Sequence, residues 1–320
     1  MQAAIYTRNG DPDVLTWGTV SDPAIGPTGV LVKVAYVSIE GGDLISRRMT
    51  PPANGPHVVG YQAAGTVVAI GEQVTRVAVG QKVCAFHWFG SHAELFAVDQ
   101  RHAFPLPDGI DMAMASTVPT TFGTAHDALF EFAGLQPGET VLVQGAAGGV
   151  GIAAVQLAAQ AGARVIATAS GAGRSARLAE YGAAETIDHA AESIAERCLA
   201  LTDGKGVDMV MDIAGGRAMA ELMRAIRYRG RYLMVGIASG ESTCLDFTDM
   251  VTKSLTCHGT LFGREMGTPR GQAIVEDLLR QMAAGAIRMP IDRVFPLSEA
   301  AAAHRYAEQA HPFGRVLMAA

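Results

Sequence analysis

Apolar residues along the chain follow two rhythms, and the change between them falls near residue 120. Before it, short apolar runs with partial alternation are cut by glycines. They are VLVKVAYVSI (30–39), AAGTVVAIG (63–71), VTRVAVGQKVCAF (74–86) and AELFAVD (93–99), punctuated by Gly60, Gly65, Gly71, Gly80 and Gly90. β-Branched residues near period two, bounded by glycine turns, predict a small barrel-like β domain. GGDLISRRM (41–49) departs from that pattern and predicts a helix with Asp43 and Arg47 paired at i,i+4.

Past residue 120 the period lengthens. TFGTAHDALFEFAG (121–134) reads as a helix closed by Gly134, followed by the strand ETVLVQ (139–144) and the helix GVGIAAVQLAAQAG. Strands at 163–168, 185–189, 207–215 and 231–236 then alternate with helices at 175–182, 191–201 and 217–230, and 253–262 adds one more strand. This alternation predicts an α/β doubly wound parallel sheet. A periodic helix at 271–285, closed by Gly285, and a tail with strand, helix and strand complete the chain.

Between the strand at 139–144 and its helix the chain reads VLVQGAAGGVG (141–151). A plain connection of small residues would also read this way. The strand–turn–helix context favours a dinucleotide-binding turn. Gly145 allows the tight bend, Gly148 and Gly149 admit a pyrophosphate to the backbone, and Gly151 lets the helix pack closely on the sheet. Ala147, Gly148, Gly149 and Val150 are the expected cofactor contacts, because helix-end N–H groups and the helix dipole favour anions. An NAD-preferring site places an acid at the end of the second strand. Here that strand runs out in Ala167–Thr168–Ala169–Ser170, and Arg174 and Arg177 follow. Guanidinium forks suit a 2′-phosphate, although both arginines also fit an ordinary solvated helix face. The expected cofactor is NADPH, with Ser170, Arg174 and Tyr181 at its adenosine end.

Composition narrows the function classes. The chain has 320 residues, 49% hydrophobic and 18% charged, which is ample for two packed domains. A net charge of −6 without a basic block argues against nucleic acid and anionic membrane as partners. Cys84, Cys198, Cys244 and Cys257 are scattered without CxxC spacing and read as reduced thiols, which with the lack of an apolar signal core predicts a cytoplasmic location.

On these residues the chain resembles the medium-chain dehydrogenase/reductase superfamily, and within it the zinc-independent quinone oxidoreductases related to zeta-crystallin. The carriers are IEGGDLISRRM (39–49), VVGYQAAGTVVAIGEQVTRVAVGQKV (58–83), TAHDAL (124–129), PGETVLVQGAAGGVG (137–151), VDMVMDIAGG (207–216) and the ending SEAAAAHRYAEQAHPFGRVLM. The resemblance implies a GroES-like catalytic domain over 1–119 completed by 263–320, a Rossmann domain over 120–262, and a homodimer. It also implies that Thr124, Gly236, Ile237 and Arg315 contact the cofactor.

The departures carry information. Zinc enzymes of this superfamily carry ligands where Glu40, Tyr61 and Thr120 stand here. Catalytic Zn²⁺ needs three good N, S or carboxylate ligands, so no metal is expected. The four-cysteine zinc lobe is missing too, and His87, His92 and His126 form no ligand set by spacing. Without a Lewis acid, the fitting acceptors are quinones and α,β-unsaturated carbonyls, whose conjugation carries the arriving charge to an oxygen. By the resemblance Glu40 sits near the nicotinamide ribose, either orienting or protonating a group, or serving as a structural carboxylate held by backbone N–H groups. His126, where the family has a tyrosine, is a candidate donor to the substrate oxygen or an ordinary helix histidine. Phe86, Trp88, Phe89 and Phe262 are candidate walls of an aromatic cleft. Enoyl-thioester reductases of the superfamily use a tyrosine that 44–58 lacks, although Tyr61 lies nearby. The leading function is thus an NADPH-dependent reductase of quinones or enones. A non-catalytic NADPH-binding structural or regulatory protein, and then a zinc alcohol dehydrogenase, are its competitors.

Overall fold

The computed structural model describes residues 1–52, 55–241 and 247–320, which leaves Cys244 outside the described residues. The chain divides into two compact units, Met1–Gly123 with Gly263–Ala320, and Thr124–Phe262.

The first unit is built on β-strands. Gln2–Tyr6 (β1), Thr16–Thr19 (β2) and Gly29–Ser38 (β3) are followed by the helix Gly41–Met49 (α1). Next come His57–Val58 (β4), Gln62–Ile70 (β5), Lys82–Phe86 (β6), Leu95–Asp99 (β7) and Ala103–Pro105 (β8). The run 74–86 yields a strand only from Lys82. The preceding residues form turns, with Gly80 at a left-handed φ of 89°. The chain then becomes helical at Met112–Ala115 (α2) and Gly123–His126 (α3), with wide π-type turns at Val118–Phe122 and Asp127–Phe132.

The second unit alternates strand and helix. In chain order it has Thr140–Gln144 (β9), Gly149–Gln160 (α4), Arg164–Ala169 (β10), Ala172–Arg177 (α5), Glu185–Asp188 (β11) and Ile194–Leu201 (α6). Val207–Asp212 (β12), Met219–Ala225 (α7), Ile226–Met234 (β13), Phe247–Thr252 (α8) and Thr256–Gly259 (β14) complete it. The segment 217–230, expected to be all helix, turns into strand at Ile226. Ile226 pairs with Val207 of β12, and the Arg227–Asp208 ion pair (2.5 Å) holds this early register. β-Branched and aromatic side chains at 226–228 fit a pleated sheet better than a helix turn.

Pro269–Ala283 (α9), Ile291–Pro296 (β15), Ala300–Gln309 (α10) and Arg315–Ala319 (β16) return the chain to the first unit. There the strands lie in the order β15-β16-β3-β5-β6-β8, with β7 also on β3, beside a small sheet β2-β1-β4. Val30, Val32 and Val34 alternate inward on β3 and join Phe96, Val98, Phe295 and Met318 in one core. Helix α10 is fastened by polar pairs. His304 Nε2 lies 2.9 Å from His92 Nε2, and Glu308 accepts from the buried Arg47 of α1 at 2.5 Å.

The second unit's sheet has the order β11-β10-β9-β12-β13-β14, with every neighbouring pair parallel. This is the doubly wound arrangement, whose direction of winding reverses between β9 and β12. Val141, Leu142 and Val143 of β9 are fully buried, as expected of a central parallel strand covered on both faces. Each such side chain stabilises the fold by about 1.5–3 kcal/mol.

Candidate active site

The chain leaves β9 at Gln144 and enters α4 at Gly149, so the turn sits at the carboxyl end of the sheet's central strand. Gly145 has φ 74°, a conformation that side chains resist. At Gly151 a Cβ would lie 2.5 Å from both the Gly145 carbonyl oxygen and Ala146 Cα. Gly151 therefore seats the helix on its own turn rather than on the sheet. At Gly148 the space is open, the nearest atom being Gly145 O at 3.6 Å. Ile152 N–H donates to Gly148 C=O at 2.9 Å, so the amides of Gly149, Val150 and Gly151 come before α4's i→i−4 ladder. A glycine-lined backbone cradle with these donors fits a diphosphate. Ala146 N–H donates to Thr168 C=O at 2.9 Å, which ties the turn to the end of β10.

Beyond β10 lies the next connection. Arg174 Nε donates to Ser170 C=O at 2.9 Å and its guanidinium also bonds the Ser170 hydroxyl. Tyr181 ends the helical run before Gly182, which has φ 105°. An acid does stand at this edge: Asp188, the last residue of β11, opposite Ala169. Its Oδ1 accepts from Gly171 N–H (2.9 Å) and Ala190 N–H (3.1 Å), and these two backbone donors hold its carboxyl below the usual range.

In the other unit Glu40 forms the N-cap of α1, and 3% of it is exposed. Its Oε1 accepts from the Ser38 hydroxyl (2.9 Å) and the Gln62 amide (2.7 Å). Arg315 of β16 lies 2.7 Å from the same oxygen as an ion pair and donates from Nε to Ser38 Oγ at 3.1 Å. Gln62 Oε1 in turn accepts from Thr120 N–H at 2.9 Å, so Gln62 bridges Glu40 and Thr120. Three side chains, from β3, β5 and β16, thus converge on this one carboxylate oxygen. Asp43 accepts from Glu40 N–H at 2.8 Å in the reciprocal manner of a capping box. Full burial pushes Asp43 up to about 8 against the pull of the Glu40 N–H it accepts from, and the Glu40 charge adds to the rise. Burial also raises the Tyr61 phenol, whose hydroxyl lies 3.3 Å from Ser46 Oγ.

Two family models match the chain: the alcohol dehydrogenase GroES-like domain over residues 26–108 and the zinc-binding dehydrogenase over 149–283. A Pseudomonas aeruginosa quinone oxidoreductase is 34% identical over 303 residues, 93% of each chain. The chain belongs to the quinone oxidoreductase-like family of the medium-chain dehydrogenase/reductase superfamily. Members of this family are oxidoreductases. A solved Escherichia coli quinone oxidoreductase complexed with NADPH matches all of both chains with TM-score 0.93 and 25% identity. A Burkholderia 2-haloacrylate reductase is 28% identical, covering 99% of this chain and 98% of its own.

Glu40 and Arg315, expected on separate duties, are brought together in the first unit. His126 and Thr124 fall in the second unit, where the His126 ring lies 4.8 Å from Phe130. Gly236 and the exposed Ile237 follow β13. The proposed aromatic wall divides. Tyr61, Phe86 and Trp88 pack edge to face at 5.2–6.2 Å. Phe89 instead meets His87 (4.5 Å) and His57 (5.5 Å), and Phe262 is buried in the other unit. Among the described residues no three His, Cys, Asp or Glu side chains gather as a metal site.

Sequence reasoning missed Ser38, Gln62, Asp188 and Asp212. Asp212, buried at the end of β12, accepts from Ala214 N–H (3.0 Å), Gly215 N–H (2.8 Å) and the Tyr232 hydroxyl (2.5 Å), which shapes the loop after that strand. An acid directly before a small-residue loop, as in MDIAGG, was the available signal.

Proposed function

We propose that this chain is an NADPH-dependent reductase that delivers hydride to a quinone or an α,β-unsaturated carbonyl without a metal. The observation that carries the cofactor choice is the edge of the sheet beyond β10. Ser170 and Arg174 are joined there, and Asp188 at the end of β11 has one oxygen, Oδ1, held by two backbone N–H groups. A fork donor here, with no acid at the end of β10 itself, supports a 2′-phosphate over a 2′-hydroxyl.

In this reading the turn Ala147–Val150 and the first turn of α4 hold the diphosphate, and Ser170, Arg174 and Tyr181 hold the 2′-phosphate. Thr124, Gly236 and Ile237 meet the nicotinamide ribose side. NADPH when bound supplies hydride from the nicotinamide ring. The acceptor oxygen then needs a hydrogen-bond donor, and His126 is the candidate. Glu40 orients a hydroxyl. Arg315 supports the metal-free reading, because a guanidinium 2.7 Å from Glu40 already neutralises the carboxylate and repels a divalent cation. The 2-haloacrylate reductase among the relatives agrees with an activated alkene as acceptor. We further take the protein to be a cytoplasmic homodimer. The free thiols Cys84, Cys198 and Cys257 support a reducing compartment. The edge position of β14, with exposed Tyr228, Phe247, Val251 and Leu261 on and around β13, α8 and β14, supports association.

The test is anaerobic oxidation of NADPH, followed by its absorbance, against a panel of quinones and enones, with sedimentation for the dimer. Turnover that resists chelators supports the reading. Tight NADPH binding without turnover would favour the non-catalytic alternative, and stoichiometric zinc with chelator-sensitive alcohol oxidation would replace it altogether. Glu40→Gln should lower kcat at least about 10-fold and alter its pH profile if Glu40 takes part in the chemistry. An unchanged profile would reduce it to a structural residue.

A further inference from the structure

Three strand ends stand side by side at the carboxyl edge of the parallel sheet: the β9 turn, the β10 connection and the end of β11. The first is tied to the second through Thr168. The second is tied to the third by the Asp188 side chain, beside the backbone bond from His189 N–H to Ala169 C=O (3.3 Å). One oxygen, Oδ1, accepts both Gly171 N–H (2.9 Å) and Ala190 N–H (3.1 Å), so it spans two connections that are distant in sequence. The segment it fastens reads Ser170–Gly171–Ala172–Gly173–Arg174, with Gly171 at φ 87°. Two glycines in five residues give that segment wide freedom when untethered. Within it, Arg174 bonds both the carbonyl and the hydroxyl of Ser170, so the place of the guanidinium follows the place of Ser170.

We infer that Asp188 is a positioning residue for recognition of the cofactor's 2′-phosphate: by fastening the Gly171 backbone it fixes Ser170 and so presents Arg174. This rests on the NADPH reading above and adds a residue that need not touch the ligand. The role depends on the acceptor oxygen and not on the negative charge, which itself opposes a bound phosphate. Replacing carboxylate by amide keeps the acceptor and removes the repulsion. Replacing it by a methyl group removes both.

Calorimetric titration of the full chain with 2′,5′-ADP and with 5′-ADP reads this without turnover. Wild type should prefer 2′,5′-ADP. Asp188→Ala should weaken 2′,5′-ADP about 10-fold and leave 5′-ADP within about 2-fold, with faster hydrogen exchange at the Gly171 amide. Asp188→Asn should bind 2′,5′-ADP at least as tightly as wild type. The inference is overturned if Asp188→Ala leaves 2′,5′-ADP unchanged or weakens both ligands equally. It is equally overturned if a folded Asp188→Asn loses 2′,5′-ADP affinity, a result that stands even where the alanine variant fails to fold. A wild type with no preference between the two ligands overturns the NADPH reading and this inference with it. A wild-type preference that Asp188→Ala does not disturb overturns the inference alone.

Discussion

The β9 turn and the Glu40 cluster are both polar places set in apolar surroundings, but they are made of different material. The turn is backbone: its donors are peptide N–H groups and its shape is set by Gly145 and Gly151 over seven consecutive residues. The cluster is side chain: Ser38, Glu40, Gln62 and Arg315 meet around one carboxylate oxygen, and Ser38 and Arg315 are 277 positions apart. A backbone site fails when a Cβ intrudes. A side-chain site fails when one charge loses its counterpart.

The largest effect should come from breaking the buried ion pair. Arg315→Met should destabilise the fold by about 3–5 kcal/mol, because Glu40 is left charged and buried. Denaturant unfolding reads this, and adding Glu40→Gln should recover at least half of the loss. If the double variant were no more stable than the single one, the pair would not be the coupled unit described. Next in size, Gly151→Ala places a methyl group 2.5 Å from backbone atoms of the turn and should cost about 3 kcal/mol along with measurable dinucleotide affinity. Retained affinity and an unchanged Tm would show that the helix can shift off its turn.

The smallest effect separates the two units by pH. Burial holds His92 down to about 3 and His304 well below its ordinary 6.5, and the Arg47 charge nearby adds to the latter. Both are neutral in the fold and gain protons on unfolding, so stability is full above the unfolded value and falls as pH drops below 6.5. The two histidines withdraw about 2 kcal/mol between pH 6.5 and 5.5, Asp43, raised to about 8 in the same unit, returns about 1.4 kcal/mol over that interval, and the net loss carried by the first unit should be below about 1 kcal/mol. Intrinsic probes in each unit, followed during acid titration, should show Trp17 and Trp88 responding before the parallel-sheet unit. Simultaneous loss would refute the assignment.

The same contrast explains what the sequence made legible. The β9 turn was readable because its chemistry is local: an apolar strand, glycines at fixed offsets and a helix. Helix α1 was readable for the same reason, down to its bounds at 41 and 49. The partners of Glu40 were not, because nothing near residue 40 specifies Gln62 or Arg315, and burial selects them only once β3, β5 and β16 lie together. The helix expected over 217–230 failed in a similar way. Its second half is drawn into the sheet by pairing with β12, a contact between residues that local periodicity does not register.

The counterpart of Glu40 is delivered by β16, a strand on the far side of the whole parallel-sheet unit in chain order. On the ribosome, residues 124–262 are contiguous and can complete their sheet while the earlier segment still waits. Until β16 emerges, Glu40 has no guanidinium to lie against. Nascent chains of this protein should therefore expose an unfinished first unit to chaperones for longer than the second. Any slowing of elongation between codons 263 and 320 lengthens that interval.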